Sequence, residues 1–431
     1  MMKPRVSLVK FQDPYESVRS VIELCDGLAG LKRDDKILIK PNIVSWDFDL
    51  PFPPYGVVTT TTVMQALVRV LKEAGFDHLT IGEAPLPNIQ VKDKSIFETI
   101  GYDKLAKRYG VRLVDFNQEK FEEVDFGSFK LSLAKSVLAA DKIINVPVLK
   151  THNQAKVSLG IKNLKGVLNR KSKMFCHGTG EFDLLLTFPR IIEKLPVALT
   201  LIDGVYTLEK GPGPTGKAYR KNLLIASRDA LACDLVGANV LGYKGEDVPY
   251  LRDFAARAGY GLNLGDIDIR GEDVETQREF VDYDWEWTED DTGPAGFKKR
   301  GIGGLAIRKY DNSLCTGCSM QYNPMLILLS SAYKGVPFPN VELVSGKQQM
   351  AAAGFEHTIL FGHCAVALNQ GNSRIKHAIA VKGCPPDMKQ FAEILRGEGI
   401  VVDEAEYIKY RHYIFNRYKG KEEFDLDHWT L

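Results

Sequence analysis

Apolar positions recur along this chain at two alternating spacings. From Asp13, the segment DPYESVRSVIELCDGL places Val18, Val21, Ile22, Cys25 and Leu28 on one face of a 3.6-residue repeat. Asp13 suits the N-cap, Pro14 the first helical position, and Glu16 the reciprocal capping position. KILIKPNI then reads as a short buried strand ending in Lys40, Pro41 and Asn42. A second helix is predicted from the threonines Thr59 to Thr62 across VMQALVRVLKEA, with Gly75 as its stop, and HLTIGEA is the next strand, ending at Glu83. The alternation continues with a helix around SIFETIGYDKLAKRYG, the strand VRLVDF, the apolar run of NVPVLKTH, a helix in DLLLTFPRIIEKL and the strand ALTLIDGV ending at Asp203. Strands and helices at this pitch predict an α/β fold with a largely parallel sheet flanked by helices.

That texture holds over 1–270. Residues 271–304 are acidic and aromatic and predict a connection with some structure of its own. Residues 305–400 show a smaller α/β pattern, with strand-like runs in NVELVSG, HTILFGHCAV and HAIAVKGCPP. Residues 401–431 form an aromatic tail that suits a docking helix or a homodimer contact. The 431 residues exceed one ordinary core. The net charge of +1 gives no field that would favour nucleic acid or an anionic membrane, so attraction for an anion must be local. The opening MMKPRVSLVKFQD has no signal-peptide core and no run approaches a membrane span, so a cytoplasmic chain is expected.

Ligands of open α/β sheets bind beyond the carboxyl ends of the strands. Four predicted strands carry polar or ionisable residues there: Lys40 with Asn42, Glu83, Lys150 with His152, and Asp203. In the following VSLGIKNLKGV, Val157, Ile161, Leu164 and Leu168 would form a helical apolar stripe, with Ser158, Lys162, Lys165 and Asn169 on another face. Gly160 and Gly166 favour equally a glycine-bearing turn entering a helix. Either form gathers backbone N–H groups, ammonium charges and Asn163 around a carboxylate or phosphate. A solvated lysine face is the ordinary meaning of such charge; its position beside a strand end favours function. His177 is a further candidate acid or base. GPGPTG, from Gly211 to Gly216, matches the glycine spacing of a dinucleotide-binding turn, but Pro212 and Pro214 remove two donors and KAYRKNLLIAS continues as a strand. It reads as a flap over the crevice, and no nicotinamide cofactor is expected.

Seven cysteines in a long chain of this class do not form a disulfide framework. Cys315 and Cys318 form a CxxC; Cys364 and Cys384 each end a strand-like run, the latter followed by proline. Loops from one sheet edge could bring these four thiols together, as ligands of a [4Fe–4S] cluster or of a structural zinc. A single CxxC knuckle and a Cys-Pro favour the cluster. Cys25 and Cys233 read as core.

IKPNIV, VPVLKTH, VSLGIKNLKGV, LIDGV with GPGPTG, and ASRDALACDLVGANVLG, in that order, resemble the domain of unknown function 362 family, whose members are often associated with iron–sulfur centres. The run Gly383-Cys384-Pro385-Pro386 with the upstream cysteines is similar to the proximal-cluster pattern of nickel–iron hydrogenase small subunits and their complex I relatives, with different spacing. The order His152, Lys162, His177 is similar to that of nickel-pincer lactate racemases. There the lysine anchors the pincer and the later histidine binds nickel, but LGIKNLKG departs from their double-glycine setting.

The expectation is an iron–sulfur redox enzyme. Lys40, Asn42, Lys150, Asn163 and Lys165 would hold a small anionic substrate, with Lys162 and His177 near the chemistry. His152 would be acid or base, oriented by Glu83 or Asp203, and an electron-donor protein would be its partner. An electron carrier or cluster-assembly factor is the non-enzymatic alternative. A zinc-containing isomerase or transferase is the non-redox one.

Overall fold

The computed structural model describes residues 3–44, 54–85 and 95–431. The chain divides into two compact units, and each is built from separate stretches of sequence. The first comprises Met1–Lys173, Leu185–Asp284 and Tyr418–Leu431; the second comprises Met174–Leu184 and Trp285–Arg417.

The first unit contains β1 (Arg5–Lys10), β2 (Ile37–Pro41), β3 (Leu79–Glu83), β4 (Arg112–Asp115), a hairpin of β5 (Phe121–Asp125) and β6 (Lys130–Ala134), β7 (Lys142–Val146), β8 (Val148–His152), β9 (Lys156–Ser158), β10 (Val197–Leu208), β11 (Ala218–Ser227) and β12 (Asp268–Gly271). The main sheet runs in the order β12-β1-β11-β10-β7-β2-β3-β4, with β8 paired to β10 and β9 to β8. Along that order only β11 is antiparallel to its neighbours. The central strands β2 and β7 are buried along nearly their whole length, as a sheet covered on both faces requires.

The helices begin where their capping chemistry places them. Asp13 accepts from the Glu16 N–H at the start of Pro14–Leu24, which buries Val18, Val21 and Ile22. Thr60 caps Thr61–Glu73, and Gly75 ends it at a φ of 86°. Gly101, at a φ of 74°, divides the next predicted helix into Ile96–Thr99 and Tyr102–Tyr109. GPGPTG joins β10 to β11 as a hairpin connection, and the strand expected after it is present.

Three expectations change. The apolar run of NVPVLKTH does not end as one strand: Pro147, which has no N–H to donate, separates β7 from β8, so Lys150 and His152 lie along an added strand beyond the carboxyl end of β7. VSLGIKNLKGV is not a helix from Val157; it is β9, a short turn of helix at Gly160–Asn163, and a 3₁₀ turn at Leu164–Val167. The domain boundary expected at 270 falls instead between Asp284 and Trp285. Residues 285–304 belong to the second unit, where the Trp287 indole N–H donates to the Ile307 carbonyl at 3.0 Å.

The second unit carries a four-stranded parallel sheet, β13 (Leu305–Ile307), β14 (Val341–Ser345), β15 (His357–Phe361) and β16 (His377–Val381), in that order. Helices Thr316–Ala332 and Met388–Gly397 cover it with Met325, Leu329, Phe391 and Leu395. The aromatic tail also divides. Its helix Glu404–Asn416 stays with the second unit, while Tyr418–Leu431 returns to the first. There Trp429 is 1% exposed, and Tyr55 is ringed by Tyr206, Tyr418, Phe424 and Trp429 at centroid distances of 4.9 to 5.5 Å. The end of the tail is therefore core of this chain.

Trp429→Ala is expected to lower the stability of the first unit by about 3–5 kcal/mol, the cost of emptying a buried aromatic site. Denaturant unfolding measures it, and an unchanged midpoint would show that the tail does not belong to that core.

Candidate functional site

At the carboxyl edge of the first unit's sheet, β2 and β3 deliver Lys40 and Glu83, both buried. The Lys40 ammonium lies 2.5 Å from Glu83 Oε2 and also donates to the Pro41 carbonyl at 2.9 Å and to Asn163 Oδ1 at 3.1 Å. The other Glu83 oxygen accepts from the Ala84 N–H at 2.9 Å. Gly166 closes over this pair; a Cβ there would collide with the carboxylate and come within 2.5 Å of the ammonium, so only glycine fits without displacing it.

A second layer fixes the turn that carries these contacts. Asn163 donates to Asn145 at 2.8 Å, and Asn145 donates to the Gly160 carbonyl at 2.8 Å. Asp234 accepts from the Gly160 and Ile161 N–H groups at 2.7 and 2.9 Å. Burial pushes Asp234 up to about 7 despite those bonds.

Four further lysines face this centre. Lys150 donates to Asn42 Oδ1 at 2.6 Å and to the Val57 carbonyl at 2.9 Å. Burial, reinforced by Lys40, lowers Lys150 to about 7, although Glu83 opposes the shift. Burial holds Lys162 well below the usual range, with Lys165 and Lys150 adding to the effect. Lys173 donates to the Ala84 carbonyl at 2.9 Å and is lowered to about 8, chiefly by burial. Lys40 is lowered by burial against the pull of Glu83. Among the described residues, five ammonium groups thus influence one another around Glu83, with Asp115 acting on Lys173. Burial and mutual repulsion therefore both work against the charged form of these lysines.

His152 is buried at the end of β8, and its Nδ1 accepts from the N–H groups of Gln154 and Ala155 at 3.1 and 3.3 Å. The neutral ring therefore carries its proton on Nε2 and is a donor there. The orientation expected from Glu83 or Asp203 comes instead from this backbone turn. Glu83 is engaged by Lys40. Asp203 accepts from the N–H groups of Thr60 and Val205 at 2.7 and 3.0 Å, holding the start of the helix Thr61–Glu73.

In the second unit, the cysteines sit at the carboxyl edge of the parallel sheet. Cys364 and Cys384 follow β15 and β16, while Cys315 is the N-cap of Thr316–Ala332 and Cys318 lies in its first turn. Cys315 is lowered to about 5, first by the Cys318 thiol, then by the N–H groups of Cys318 and Gly317, and by Lys347, against the effect of burial. Cys318 is raised by Cys315 and burial, with Cys384 and Cys364 acting in the same direction, so all four thiols feel one another. Among the described residues, no three of these sulfurs fall within 4.8 Å of one another. A tetrahedral zinc would hold thiolates about 3.8 Å apart, given Zn–S bonds of about 2.3 Å; a cubane, binding each thiolate to a different iron, holds them wider. Gly362, whose Cβ would lie 3.2 Å from Cys318 Sγ, keeps the space beside the CxxC open.

His177 belongs to this second unit, whereas His152 and Lys162 belong to the first. Its Nδ1 donates to the Asn312 carbonyl at 2.8 Å, and its own carbonyl accepts from Lys347 at 2.6 Å. Lys347, Lys173, Asn145 and Asp234 were not predicted from sequence; only the strand-end position of Lys347, two residues beyond β14, could have drawn notice.

Residues 37–239 match the family model described as Domain of unknown function (DUF362). A thylakoid-associated protein of Synechocystis sp. is 29% identical over 274 residues, which cover 61% of this chain and 81% of that protein. The lactate racemase apoprotein from Thermoanaerobacterium thermosaccharolyticum is a structural neighbour at 11% identity and a TM-score of 0.36, covering 98% of this chain and 91% of that one. At that level no chemistry is carried over from it. Among the described residues, no helix is long and apolar enough to cross a membrane.

The lowered Lys150 gives a pH test. It titrates at about 7 in the folded chain, against about 10.4 when unfolded. The unfolded state thus binds more protons between those values, and this residue's penalty is full below pH 7 and fades as pH rises toward 10. Lys150→Met is expected to gain stability over the parent at pH 6 and to lose most of that gain by pH 10, a change on the order of a few kcal/mol. Denaturant unfolding in low-anion buffer at both pH values measures it; a difference independent of pH would contradict a buried, strained ammonium.

Proposed function

We propose from the geometry that this chain, whose residues 37–239 match the DUF362 family model, a family whose name assigns no reaction, is a cytoplasmic iron–sulfur oxidoreductase acting on a small anion. The observation that carries the reading is the cluster of buried lysines beside the Lys40–Glu83 pair, in a chain whose second unit gathers four thiols at one sheet edge.

In this reading Lys150, Lys162, Lys165 and Lys173 bind and orient a carboxylate or phosphate, while Lys40, expected to be a ligand, has its three N–H groups engaged by Glu83, Pro41 and Asn163 and stays a structural part of the site. Asn42 and Asn163 hold two of the ammonium groups at fixed positions. An anion entering the site relieves their mutual repulsion, so binding favours protonated lysines. His152, with its proton on Nε2, donates to an oxygen of the substrate or delivers the proton that accompanies reduction; a positioned acid of this kind contributes roughly two to four powers of ten in rate. Cys315, Cys318, Cys364 and Cys384 would hold a [4Fe–4S] cluster, which when bound supplies one-electron transfer. The lowered Cys315, at a helix N-terminus beside Lys347, suits a thiolate ligand, and the single CxxC with Cys384-Pro385 favours the cluster over zinc. The electron-donor protein remains part of this proposal, as does a second copy of the chain; exposed Tyr410, Tyr413 and Ile408 on Glu404–Asn416 suit such a contact.

Protein purified without oxygen is expected to hold about four irons and four sulfides per chain, lost in Cys315→Ser and Cys384→Ser. The dithionite-reduced form should be reoxidised by one member of a panel of small carboxylates and phosphate esters. His152→Ala should slow that step by about two to four powers of ten with iron unchanged. Zinc without iron would replace this reading with the non-redox one. A cluster oxidised only by an acidic protein would replace it with an electron carrier.

A further inference from the structure

The second unit carries another set of metal-binding side chains, at the end of its sheet opposite the cysteines. His357 opens β15 and His377 opens β16, and the two residues are direct partners in the parallel register. Their rings lie 5.2 Å apart at an interplanar angle of 80°. Glu398, the C-cap of Met388–Gly397, brings Oε2 to 2.7 Å from His377 Nε2. One donor atom from each of the three residues lies within 4.8 Å of the others.

We infer that His357, His377 and Glu398 form a site for a zinc-class divalent transition ion, independent of the cysteine centre. A plain histidine–carboxylate hydrogen bond would need only His377. The structure adds a second imidazole directly across the strand pair, and His357 Nδ1 is buried without a hydrogen-bond partner among the described residues. Two imidazoles and one carboxylate are the ligand set of open zinc sites, with water in the remaining position. The His377 and Glu398 side chains are 50% and 30% exposed, which leaves that position to solvent.

The geometry needs only a small adjustment. Metal–ligand bonds of about 2.0–2.2 Å in a tetrahedron place donor atoms about 3.3 Å apart, so the His377–Glu398 pair, at 2.7 Å, opens slightly, with His357 already within 4.8 Å of both. Imidazole donors select zinc, cobalt or nickel over magnesium or calcium. The neighbouring lysine does not compete, because Lys376 is paired with Glu356 at 2.6 Å. At about 3.3 Å per strand residue the histidines lie at least about 13 Å from the far ends of their strands, where the thiols begin. An ion here would tie the starts of β15 and β16 to the end of Met388–Gly397.

The full chain, purified without oxygen and with its native metal content counted, would be dialysed against micromolar Zn²⁺ and, separately, Co²⁺. One additional ion per chain is expected, with iron unchanged. Bound Co²⁺ should show visible ligand-field bands with no added thiolate charge-transfer band. His377→Ala, Glu398→Gln and His357→Asn should each weaken binding at least about tenfold and abolish the metal-induced rise in melting temperature; the metal-free melt reports whether each variant folds. Binding that survives all three substitutions, a new thiolate–cobalt band, or no uptake up to millimolar metal would overturn the assignment.

Discussion

The Lys40–Glu83 pair is the contact on which the first unit's site depends. Desolvating an ammonium and a carboxylate costs several kcal/mol each, and their attraction offsets that cost only when the remaining hydrogen-bonding positions are filled. Here the backbone carbonyl of Pro41, the Asn163 side chain and the N–H of Ala84 fill them, and Gly166 leaves room for them. Removing one partner would leave an uncompensated charge inside the sheet edge. The surrounding lysines make the pair more than a structural lock. Lys150, Lys162, Lys165 and Lys173 lie close enough to lower or be lowered by one another, and a bound anion would offset that repulsion. The Asp234 carboxylate, Asn145 and the glycines at 160 and 166 hold the turn that carries Lys162 and Lys165.

The second unit solves a different electrostatic problem with similar means. A parallel sheet presents loops at its carboxyl edge, and a helix N-terminus there stabilises negative charge. Cys315 occupies that N-cap, with Lys347 reaching it from the loop after β14, and the other thiols come from the same helix and the next two strands. Both units thus gather ionisable side chains at carboxyl ends of parallel strands, lysines in one and thiols with Lys347 in the other. The opposite end of the smaller sheet brings His357 and His377 side by side for the same topological reason, since parallel register sets the first residues of adjacent strands abreast.

Much of this was legible in the sequence because it depends on local periodicity. The α/β alternation, the cap at Asp13, the helix start among Thr59 to Thr62, the strand after GPGPTG and the placing of Cys364 and Cys384 at strand ends follow from spacing and turn chemistry. The lysines of VSLGIKNLKGV were visible as charge beside an apolar run, but the helical stripe through Val157 was not formed. Pairing of β9 with β8 won over a helix that two glycines already weakened. Lys173, Asp234 and Lys347 were not legible, because each acts on a group far away in sequence. Asp203 was legible as a strand-end acid yet serves the backbone of Thr60 and Val205. His177 looked like a partner of His152 in chain order, but the chain crosses between units at Lys173, and order along the sequence does not report that. The tail looked like a surface contact because its aromatic residues have no period; only the fold reveals the ring of side chains around Tyr55.

The central claim, that buried ammonium groups in the first unit await an anion, is tested most directly by calorimetric titration with sulfate, whose charge is constant between pH 6 and pH 9. The account predicts one saturable site at pH 6, weakened at least about tenfold by pH 9 as lysines near 7 and 8 lose their protons. It also predicts much weaker binding to Lys150→Met at pH 6. Absence of saturable binding at pH 6, or binding that ignores both the pH and the substitution, would contradict it.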